Sequence, residues 1–349
     1  MLKVALVYNL KRPEYKQLCA DYCSEFDSAE TIEAIAAALR LGGNQVFLIE
    51  QDRRLIDNIR TNNVDIVFNI AEGFSGPSRE AQVPAMLDFL NIPYTGSGVL
   101  ALALSLDKAM SKQIFVTQGI PTPRFQLFKN APETLNPNLC FPLIVKPNCE
   151  GSAKGIHSTS VVKDKLQLVE EISRVKKNYR QDVLVEEFIQ GRELTVAILG
   201  NDPPEVLPIL EIDFTDCKNK KEFFYSWEVK EYQGIDPRYP DPKFFCPAHL
   251  SVEQEKQVKN VALAAHQALG CQDLSRVDII LGQNSNIYVL EVNPLPGLDP
   301  QESNLTKIAQ AAGLSYPDLI NSILASTVKR QHLVQSTEQQ VIRREVVKK

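Results

Sequence analysis

This 349-residue chain lacks several features that mark particular classes of protein. It has only four histidines, and its seven cysteines form no CxxC pair, so a zinc site is not expected and free thiols in a reducing cytoplasm are. No apolar run reaches about 18 residues, so no membrane-spanning helix is predicted. The first residues already have a strand pattern, and we therefore expect no signal peptide.

Two binding signatures are absent as well. With a net charge of −5 and no long basic block before the last residues, nucleic acid is not an expected partner. No GxGxxG motif follows the first strand, so the dinucleotide fingerprint is missing. The remaining composition is that of an ordinary globular protein, and the length predicts two or three domains.

A β-hairpin pattern lies within residues 275–300. Two apolar runs flank a cluster of Gly, Asn and Ser residues, which is the signature of a tight turn between antiparallel strands. With the turn near Asn284, Asp278 lies opposite Leu290 or Glu291. We favour Glu291, because this register brings the polar side chains of both strands to one face, whereas a slip of one residue would separate them.

Four polar side chains would share that face: Arg276, Asp278, Glu291 and Asn293. Unpaired charges are costly to bury in a sheet, but two carboxylates and an amide oxygen are suitable ligands for Mg²⁺. We therefore predict that Asp278, Glu291 and Asn293 bind metal, and that Arg276 stabilises negative charge developing beside it. A solvated outer face of the hairpin is the alternative.

The first 97 residues alternate between strand and helix patterns, which predicts a parallel sheet with crossover helices. The predicted elements are strands at Lys3–Val7, Gln45–Ile49 and Asp65–Ile70 and helices at Ser28–Leu41 and Glu80–Leu90. The third strand leads into a loop containing Glu72. Loops at the carboxyl ends of parallel strands are usual ligand positions, although a plain surface loop fits this pattern equally well.

Two lysines mark the middle of the chain. Lys108 lies in the first turn of a helix predicted from Asp107 to about Gln118, where a cation opposes the helix dipole, and this favours a role in a site. A buried strand at Phe141–Lys146 ends on the second lysine and leads into a flexible loop with Ser152 and Lys154. Such a loop can wrap phosphate groups with its N–H groups, although a plain turn between strands looks the same.

A strand at residues 183–189 is followed by a tight turn and a strand at 193–199. Glu186 and Glu193 lie on the two sides of this turn. An apolar strand that runs into a hinge suits an adenine ring, with Glu187 and Ile189 at the strand end, whereas a sheet-edge turn with solvated acids is the alternative.

The last third of the chain contains a lid candidate and further helices. The long polar loop around residues 217–247 is more typical of a functional lid than of a connector, and Lys230 is its most notable cation. Helices are predicted at 253–269, about 303–312 and 316–328, and residues 331–349 form a polar tail to which we assign no function.

Taken in their order along the chain, these predicted elements and candidate residues resemble the D-alanine–D-alanine ligase family of ATP-grasp enzymes. The resemblance extends from about residue 64 to residue 325 and rests on short motifs: IPYTGSG at 92–98, DK at 107–108, VKP at 145–147, EGS at 150–152, E-x-TVAIL at 193–199, FCPA at 245–248, RVD at 276–278 and LEVN at 290–293. It implies an ATP-grasp fold of mixed α/β and α+β class with ATP held between the last two of three domains. These are an N-terminal parallel α/β domain (1–97), a central ATP-grasp domain with the phosphate loop (98–186) and a C-terminal ATP-grasp domain with the metal site (187–330).

The resemblance also implies a role for each candidate residue. Phosphate-contacting lysines would be Lys108, Lys146 and Lys230. Adenosine-binding acids would be Glu186 and Glu193, and the mobile phosphate loop would include Glu150, Gly151 and Ser152. The two-magnesium site, which could also take Mn²⁺, would comprise Asp278, Glu291 and Asn293. Oxyanion stabilisation would come from Arg276 and the N–H of Gly297, and Ser152 would belong to the network that anchors substrate.

The implied reaction is ATP-dependent ligation of a carboxylate to an amine through an acyl phosphate, by a cytoplasmic homodimer. The positions that would contact amino acids depart from the family pattern. Glu72 replaces a usual His, Glu231 replaces a usual Tyr, and the hydroxyl for the second substrate is Ser303 only with a one-residue insertion, without which the position is Glu302. The ammonium-binding Glu of the first strand is missing, and Glu25 or Glu30 could substitute for it.

We therefore expect an ATP-dependent ligase whose substrates are other amino acids or carboxylates than two D-alanines. A genuine D-alanine–D-alanine ligase of cell-wall synthesis is one alternative. A non-catalytic nucleotide-binding protein on the same scaffold is another, although such a protein has no need of the oxyanion arginine at position 276.

Overall fold

The computed structural model describes residues 1–12, 14, 21–129, 134–217 and 224–332. The strands in these ranges are β1 Lys3–Tyr8, β2 Gln45–Glu50, β3 Ile66–Asn69, β4 Phe125–Phe128, β5 Leu143–Pro147, β6 Val161–Val162, β7 Val183–Glu187, β8 Gly191–Leu199, β9 Glu205–Asp213, β10 Lys243–Phe245, β11 Leu274–Gly282 and β12 Ile287–Asn293. The α-helices are α1 Ala29–Leu41, α2 Leu55–Asn62, α3 Gln82–Phe89, α4 Val99–Leu106, α5 Lys108–Thr117, α6 Lys165–Tyr179, α7 Trp227–Tyr232, α8 Val252–Ala268, α9 Asn304–Ala311 and α10 Tyr316–Arg330.

The N-terminal sheet is parallel, with strand order β2-β1-β3, as predicted. Both faces of β1 are buried, which explains its continuous apolar sequence. Helix α1 begins after Ser28, whose Oγ accepts a hydrogen bond from the N–H of Thr31, and it ends at Gly42, so both predicted boundaries are confirmed. Helix α2 was not predicted, because its first residues offer no side-chain cap.

The central sheet is antiparallel, with strand order β4-β7-β5-β6, and α6 packs on it. Strand β5 begins at Leu143, two residues later than predicted, and it includes Pro147. The short strand β4 was not predicted. Just before β5, the carbonyl of Pro142 accepts from the N–H of Phe188, which continues the register of the β5–β7 pair.

The C-terminal sheet is antiparallel, with strand order β10-β9-β8-β11-β12. Asp278 pairs with Glu291 and Arg276 pairs with Asn293, so the predicted hairpin register is confirmed. A bulge with Leu290 as its additional residue follows this pair, since Ile279 is opposite Val289.

The predicted loop at 217–247 is wrong as a description of the whole segment. Its described part contains helix α7 and strand β10, and the preceding region holds the long strand β9. The proline content suggested irregular structure, but Pro208 lies in a bulge of β9 where no ladder hydrogen bond is required of it.

Separate hydrophobic cores show how the sheets are joined. One core unites the N-terminal sheet and α1 with β8, β9, α9 and α10, whereas the central sheet and α6 form a core of their own. No helix in the described ranges has both the length and the apolar character needed to cross a bilayer. The predicted polar tail lies outside the described residues except for Gln331 and His332.

Candidate active site

A cavity of about 1390 Å³ lies between the central and C-terminal sheets and reaches the N-terminal part of the chain. Its wall contains 17 of the residues selected from the sequence: Glu72, Lys108, Lys146, Glu150, Ser152, Glu186, Glu187, Ile189, Glu193, Lys230, Glu231, Arg276, Asp278, Glu291, Asn293, Gly297 and Ser303. Gly151 is adjacent to this wall, and its N–H donates to the carboxylate of Glu25.

The hairpin face presents its four polar side chains to the cavity. The guanidinium of Arg276 donates to both oxygens of Asp278, at 3.0 Å from Nε and 2.8 Å from Nη2. The hydroxyl of Thr195 on the neighbouring strand donates to Oδ1 of the same carboxylate at 2.5 Å. The planar fork of arginine therefore holds Asp278 in a fixed orientation.

Glu291 is held from the other side of the cavity. The ammonium of Lys108, at the start of α5, lies 2.7 Å from Oε2 of Glu291. Burial acts to raise the pKa of Glu291, but Lys108, Lys146 and Arg276 together lower it to about 2. The carboxylate is consequently ionised throughout the physiological range.

The oxygen donors on this face fit a magnesium ion. Asp278 and Glu291 offer carboxylate oxygens with further lone pairs, and Asn293 adds an amide oxygen that also accepts from the N–H of Leu295 at 2.9 Å. Within the described residues no group of three or more His, Cys, Asp or Glu side chains is arranged to hold a metal. Any ion here would complete its shell with water and phosphate oxygens, as Mg²⁺ usually does.

A second carboxylate organises the opposite wall. The ammonium of Lys146 lies 2.5 Å from Oε1 of the buried Glu186. The ammonium of Lys112 lies 2.7 Å from Oε2, as an ion pair without good hydrogen-bond direction. Burial acts to raise the pKa of Glu186, but the two lysines lower it. Lys146 is thereby fixed at the cavity wall.

Glu193 differs from the other acids of the site. Its Oε1 accepts from the N–H of Tyr225 at 3.1 Å, and it lies on β8 beside Asp278. Burial, with a further contribution from the charge of Asp278, raises the pKa of Glu193 to about 7 although the Tyr225 N–H acts to lower it. This carboxyl therefore changes charge near neutral pH.

The phosphate loop has a backbone that most residues avoid. Ser152 and Ala153 have left-handed φ angles of 51° and 57°, and the loop carbonyl of Glu150 accepts from the ammonium of Lys108 at 2.6 Å. Ser152 faces the cavity. Such strained backbone is typical of ligand-binding loops.

Helix α7 covers the same region and carries Lys230 and Glu231 at the cavity wall. The backbone N–H of its first residue, Trp227, donates to the carbonyl of Ile156 at 2.9 Å. Its second residue, Glu228, lies 2.6 Å from Nδ1 of His157. The helix is thus attached to the segment that follows the phosphate loop.

Comparison with known proteins identifies the family. The family model described as D-ala D-ala ligase C-terminus matches residues 114–325. The D-alanine–D-alanine ligase of Carboxydothermus hydrogenoformans is 34% identical over 320 residues, which are 88% of this chain and 96% of that one. The chain belongs to the D-alanine–D-alanine ligase family. It is accordingly an ATP-dependent carbon–nitrogen ligase with an ATP-grasp fold, and the expected family, fold and enzyme class are confirmed.

A further relative and a solved structure are also similar to this ligase. The uncharacterized protein y4sG of Sinorhizobium fredii is 35% identical over 300 residues, covering 84% of this chain and 85% of that protein. The D-alanine–D-alanine ligase of Bacillus anthracis superposes with a TM-score of 0.74 and 26% identity, covering 95% of this chain and 99% of that one. The same enzyme complexed with ATP gives a TM-score of 0.72.

The residues predicted to contact amino acids, Glu72, Glu231 and Ser303, all line the same cavity. Glu72 lies in the wall, and burial together with Glu80 and Glu25 raises its pKa well above the usual range. Of the two substitutes for an ammonium-binding acid, Glu25 lines the cavity and Glu30 is exposed on α1. Ser303 lines the wall and its Oγ accepts from the N–H of Asp299 at 2.9 Å.

Two site residues of this ligase escaped the sequence reasoning. Arg79 comes just before the predicted helix Glu80–Leu90, yet it is buried and donates to the carbonyl of Cys149 beside the phosphate loop. Lys112 was passed over, although its position four residues after Lys108 places both on one face of α5. The i,i+4 spacing was the signal for Lys112, whereas nothing local marks Arg79.

Proposed function

We propose that this ligase phosphorylates a carboxylate with ATP and then joins the acyl phosphate to an amine. One observation carries the proposal. Asp278 and Glu291 lie opposite each other in the hairpin at the cavity wall, and each carboxylate has its own cation, Arg276 for Asp278 and Lys108 for Glu291. Binding a nucleotide alone would not require a guanidinium beside the carboxylates, whereas acyl transfer generates an oxyanion that such a group stabilises.

Two steps make up the reaction. A carboxylate oxygen of the first substrate attacks the γ-phosphorus of ATP, and a new P–O bond forms as the bond to the β-phosphate oxygen breaks and ADP leaves. The nitrogen of a neutral amine then attacks the acyl carbon. The C–N bond forms, the C–O bond to phosphate breaks, inorganic phosphate leaves, and the amine gives up a proton.

The side chains of the cavity have distinct roles in these steps. Arg276 and the N–H of Gly297, which has no acceptor among the described residues, would stabilise the tetrahedral oxyanion. Lys108, Lys146 and Lys230 would orient the phosphates, and Glu186, Glu187, Ile189 and Glu193 would hold the adenosine. Asp278, Glu291 and Asn293 would hold magnesium, which when bound neutralises charge on the β- and γ-phosphates.

Water has to be kept away from an acyl phosphate because it hydrolyses. Two elements are placed to cover the cavity: the loop Glu150–Gly155 and helix α7. The backbone N–H of Trp227 donates to the carbonyl of Ile156, so α7 is attached to the residue that directly follows this loop. We therefore propose that both act as lids.

The substrates are proposed to differ from two D-alanines. The relatives named D-alanine–D-alanine ligase act on D-alanine by their name, but Glu72 and Glu231 alter the amino-acid end of this cavity. Buried polar groups discriminate strongly between substrates, since a mismatched partner leaves them unpaired. We propose an amino acid or related carboxylate and amine instead, with Ser303 as the hydroxyl that contacts the second substrate.

The test is phosphate release from ATP and Mg²⁺ across single and paired L- and D-amino acids, with products identified by mass. Release with a pair other than D-alanine would support both the chemistry and the substrate proposal. Formation of a D-alanine dimer at a rate comparable to that of its named relatives would overturn the substrate proposal and make this a D-alanine–D-alanine ligase. MgADP binding without release for any pair would favour a non-catalytic nucleotide binder.

The proposed domain boundaries remain 1–97, 98–186 and 187–330. The separation into three sheets supports them. We propose a cytoplasmic location because Cys23, Cys140, Cys149, Cys217, Cys246 and Cys271 are free thiols, which persist in a reducing compartment. The net charge of −5 supports our proposal that nucleic acid is not a partner.

We also propose a homodimer. Helices α3 and α4 contact each other and expose large apolar side chains, with Phe89 85% and Leu100 71% exposed. Exposed apolar side chains of this size favour an interface. Light scattering should give twice the chain mass for the wild type and the single chain mass for Phe89→Glu, and a monomeric wild type would contradict the proposal.

A further inference from the structure

Glu25 is one of the acids that line the cavity from the N-terminal part of the chain, and its carboxylate is paired within the protein. Its side chain is only 2% exposed. Oε1 accepts from Nη2 of Arg79 at 2.6 Å and from the N–H of Gly151 at 2.7 Å, while Oε2 lies 3.2 Å from the ammonium of Lys154. Two cations and a backbone donor therefore already satisfy this carboxylate.

Arg79 joins Glu25 to the start of the phosphate loop. Its side chain is 5% exposed, its Nη1 donates to the carbonyl of Cys149 at 2.8 Å, and its Nη2 lies 3.1 Å from Oε2 of Glu150. Lys154 closes the set, 2.6 Å from the same oxygen of Glu150. Two acids and two bases thus pair with one another in a buried cluster, and removing one member would leave another uncompensated.

The loop is shaped to accept this cluster. A Cβ at Gly151 would come within 2.7 Å of Oε1 of Glu25, so only glycine allows the carboxylate to approach so closely. The next two residues, Ser152 and Ala153, have left-handed φ angles that side-chain-bearing residues avoid. The loop conformation is therefore imposed by its contacts rather than preferred by its sequence.

A second acid holds the far end of the loop. Asp21 is 2% exposed, and its Oδ2 accepts from the N–H of Gly155 at 3.0 Å and from the hydroxyl of Tyr179 at 2.5 Å. Gly155 has a left-handed φ of 76°. Acids four residues apart in one segment, Asp21 and Glu25, thus bind the N–H groups at both ends of the phosphate loop.

We propose that Glu25 and Arg79 are positioning residues that shape the phosphate loop before ATP binds, and that Glu25 does not hold a substrate ammonium. The proposal deepens the proposed function, because it removes one ammonium contact from the first substrate. The carboxylate-bearing substrate is then a compound that need not carry a free ammonium near Glu25, such as an N-substituted amino acid.

Hydrogen–deuterium exchange of the nucleotide-free protein tests the proposal without any substrate. In the wild type, the peptide covering residues 149–156 should exchange slowly. Glu25→Gln and Arg79→Met should each speed its exchange at least about tenfold, because local opening sets the exchange rate. Arg79→Lys should exchange more slowly than Arg79→Met, because a lysine ammonium can still pair with Glu25. It should exchange faster than the wild type, because the ammonium cannot also donate to the carbonyl of Cys149.

The matched control is Glu33→Gln, which removes an exposed Glu–Arg pair with Arg40 on α1 and should leave the peptide unchanged. Unchanged exchange in both Glu25→Gln and Arg79→Met would overturn the proposal. If neither folds, Lys154→Met decides: faster exchange supports the proposal and unchanged exchange contradicts it.

A binding measurement separates this role from a merely structural one. Calorimetric affinity for MgADP should fall about threefold to tenfold in Glu25→Gln, because the loop must then be ordered on binding. Unchanged MgADP affinity together with a raised KM for an amino-acid substrate would identify Glu25 as an ammonium holder instead. Hydrogen–deuterium exchange and MgADP affinity can both be measured even if the ligation chemistry proposed above proves wrong.

Discussion

Lys108 and Glu291 form an ion pair of 2.7 Å that links the first turn of α5 to strand β12 across the cavity. The pair places a cation where metal and phosphate would meet and keeps the acid ionised. It also explains why a lysine is tolerated at a helix N-terminus, where the dipole disfavours it, because the carboxylate compensates.

Glu291→Gln should weaken binding of Mn²⁺ in the presence of ADP. Removing a residue that hydrogen-bonds to a metal ligand commonly lowers metal affinity 10–100-fold, and removing a ligand itself should lower it by at least about as much. Paramagnetic titration with Mn²⁺ measures the effect. Glu253→Gln, an exposed acid at the start of α8, should bind as the wild type does, and equal affinity in the two variants would remove Glu291 from the metal site.

Arg276→Ala should lower kcat by about 100–1000-fold, the range seen when one oxyanion donor is removed. Affinity for ADP should change far less, because the role is in acyl transfer. Arg54→Ala removes another arginine paired with an aspartate two residues away, Asp52, at an exposed site, and should leave kcat unchanged. A kcat for Arg276→Ala within threefold of wild type would contradict the assignment.

Lys112→Met should reduce the free energy of unfolding by about 3 kcal/mol, because it leaves the buried Glu186 with only Lys146. Urea denaturation measures this. Lys259→Met breaks the surface pair with Glu255 and should cost at most about 1 kcal/mol. Additive effects of Lys112→Met and Glu186→Gln would show that the two side chains are not coupled.

Stability should depend on pH through Glu193. Its folded pKa of about 7 lies above the usual value, so its protonated form is favoured by folding. The resulting stability is fully present below the unfolded pKa of about 4.3 and is lost as pH rises through 7. Relative to Glu193→Gln, the wild type should therefore lose on the order of 3 kcal/mol between pH 4.5 and 7.5, measured by urea denaturation. A constant difference would contradict this.

Local sequence pattern was sufficient where the pattern itself determines geometry. Alternation of apolar and polar residues around one turn gave the pairing of Asp278 with Glu291, and Ser28 with Gly42 gave the limits of α1. These features depend on residues near one another in the chain, so period and capping rules apply to them directly.

Features set by distant contacts were not predictable. Strand β9 contains a proline that argues against a strand, and its bulge becomes visible only when β8 pairs with it. Arg79 meets Glu25, 54 residues away in sequence, and its importance comes from that meeting. The substitutions at the amino-acid end could be noticed in sequence, but the engagement of Glu25 by two cations could not.

The division of the hydrophobic cores determines how the cavity can open. Because the N-terminal sheet shares one core with the C-terminal helices, we expect these parts to move as one body and the central sheet, with its own core, to move as the other. The ion pairs between these two parts include Arg79 with Glu150 and Glu25 with Lys154. Raising the ionic strength should consequently favour the open form and slow nucleotide capture, while leaving the unfolding of each core nearly unaffected.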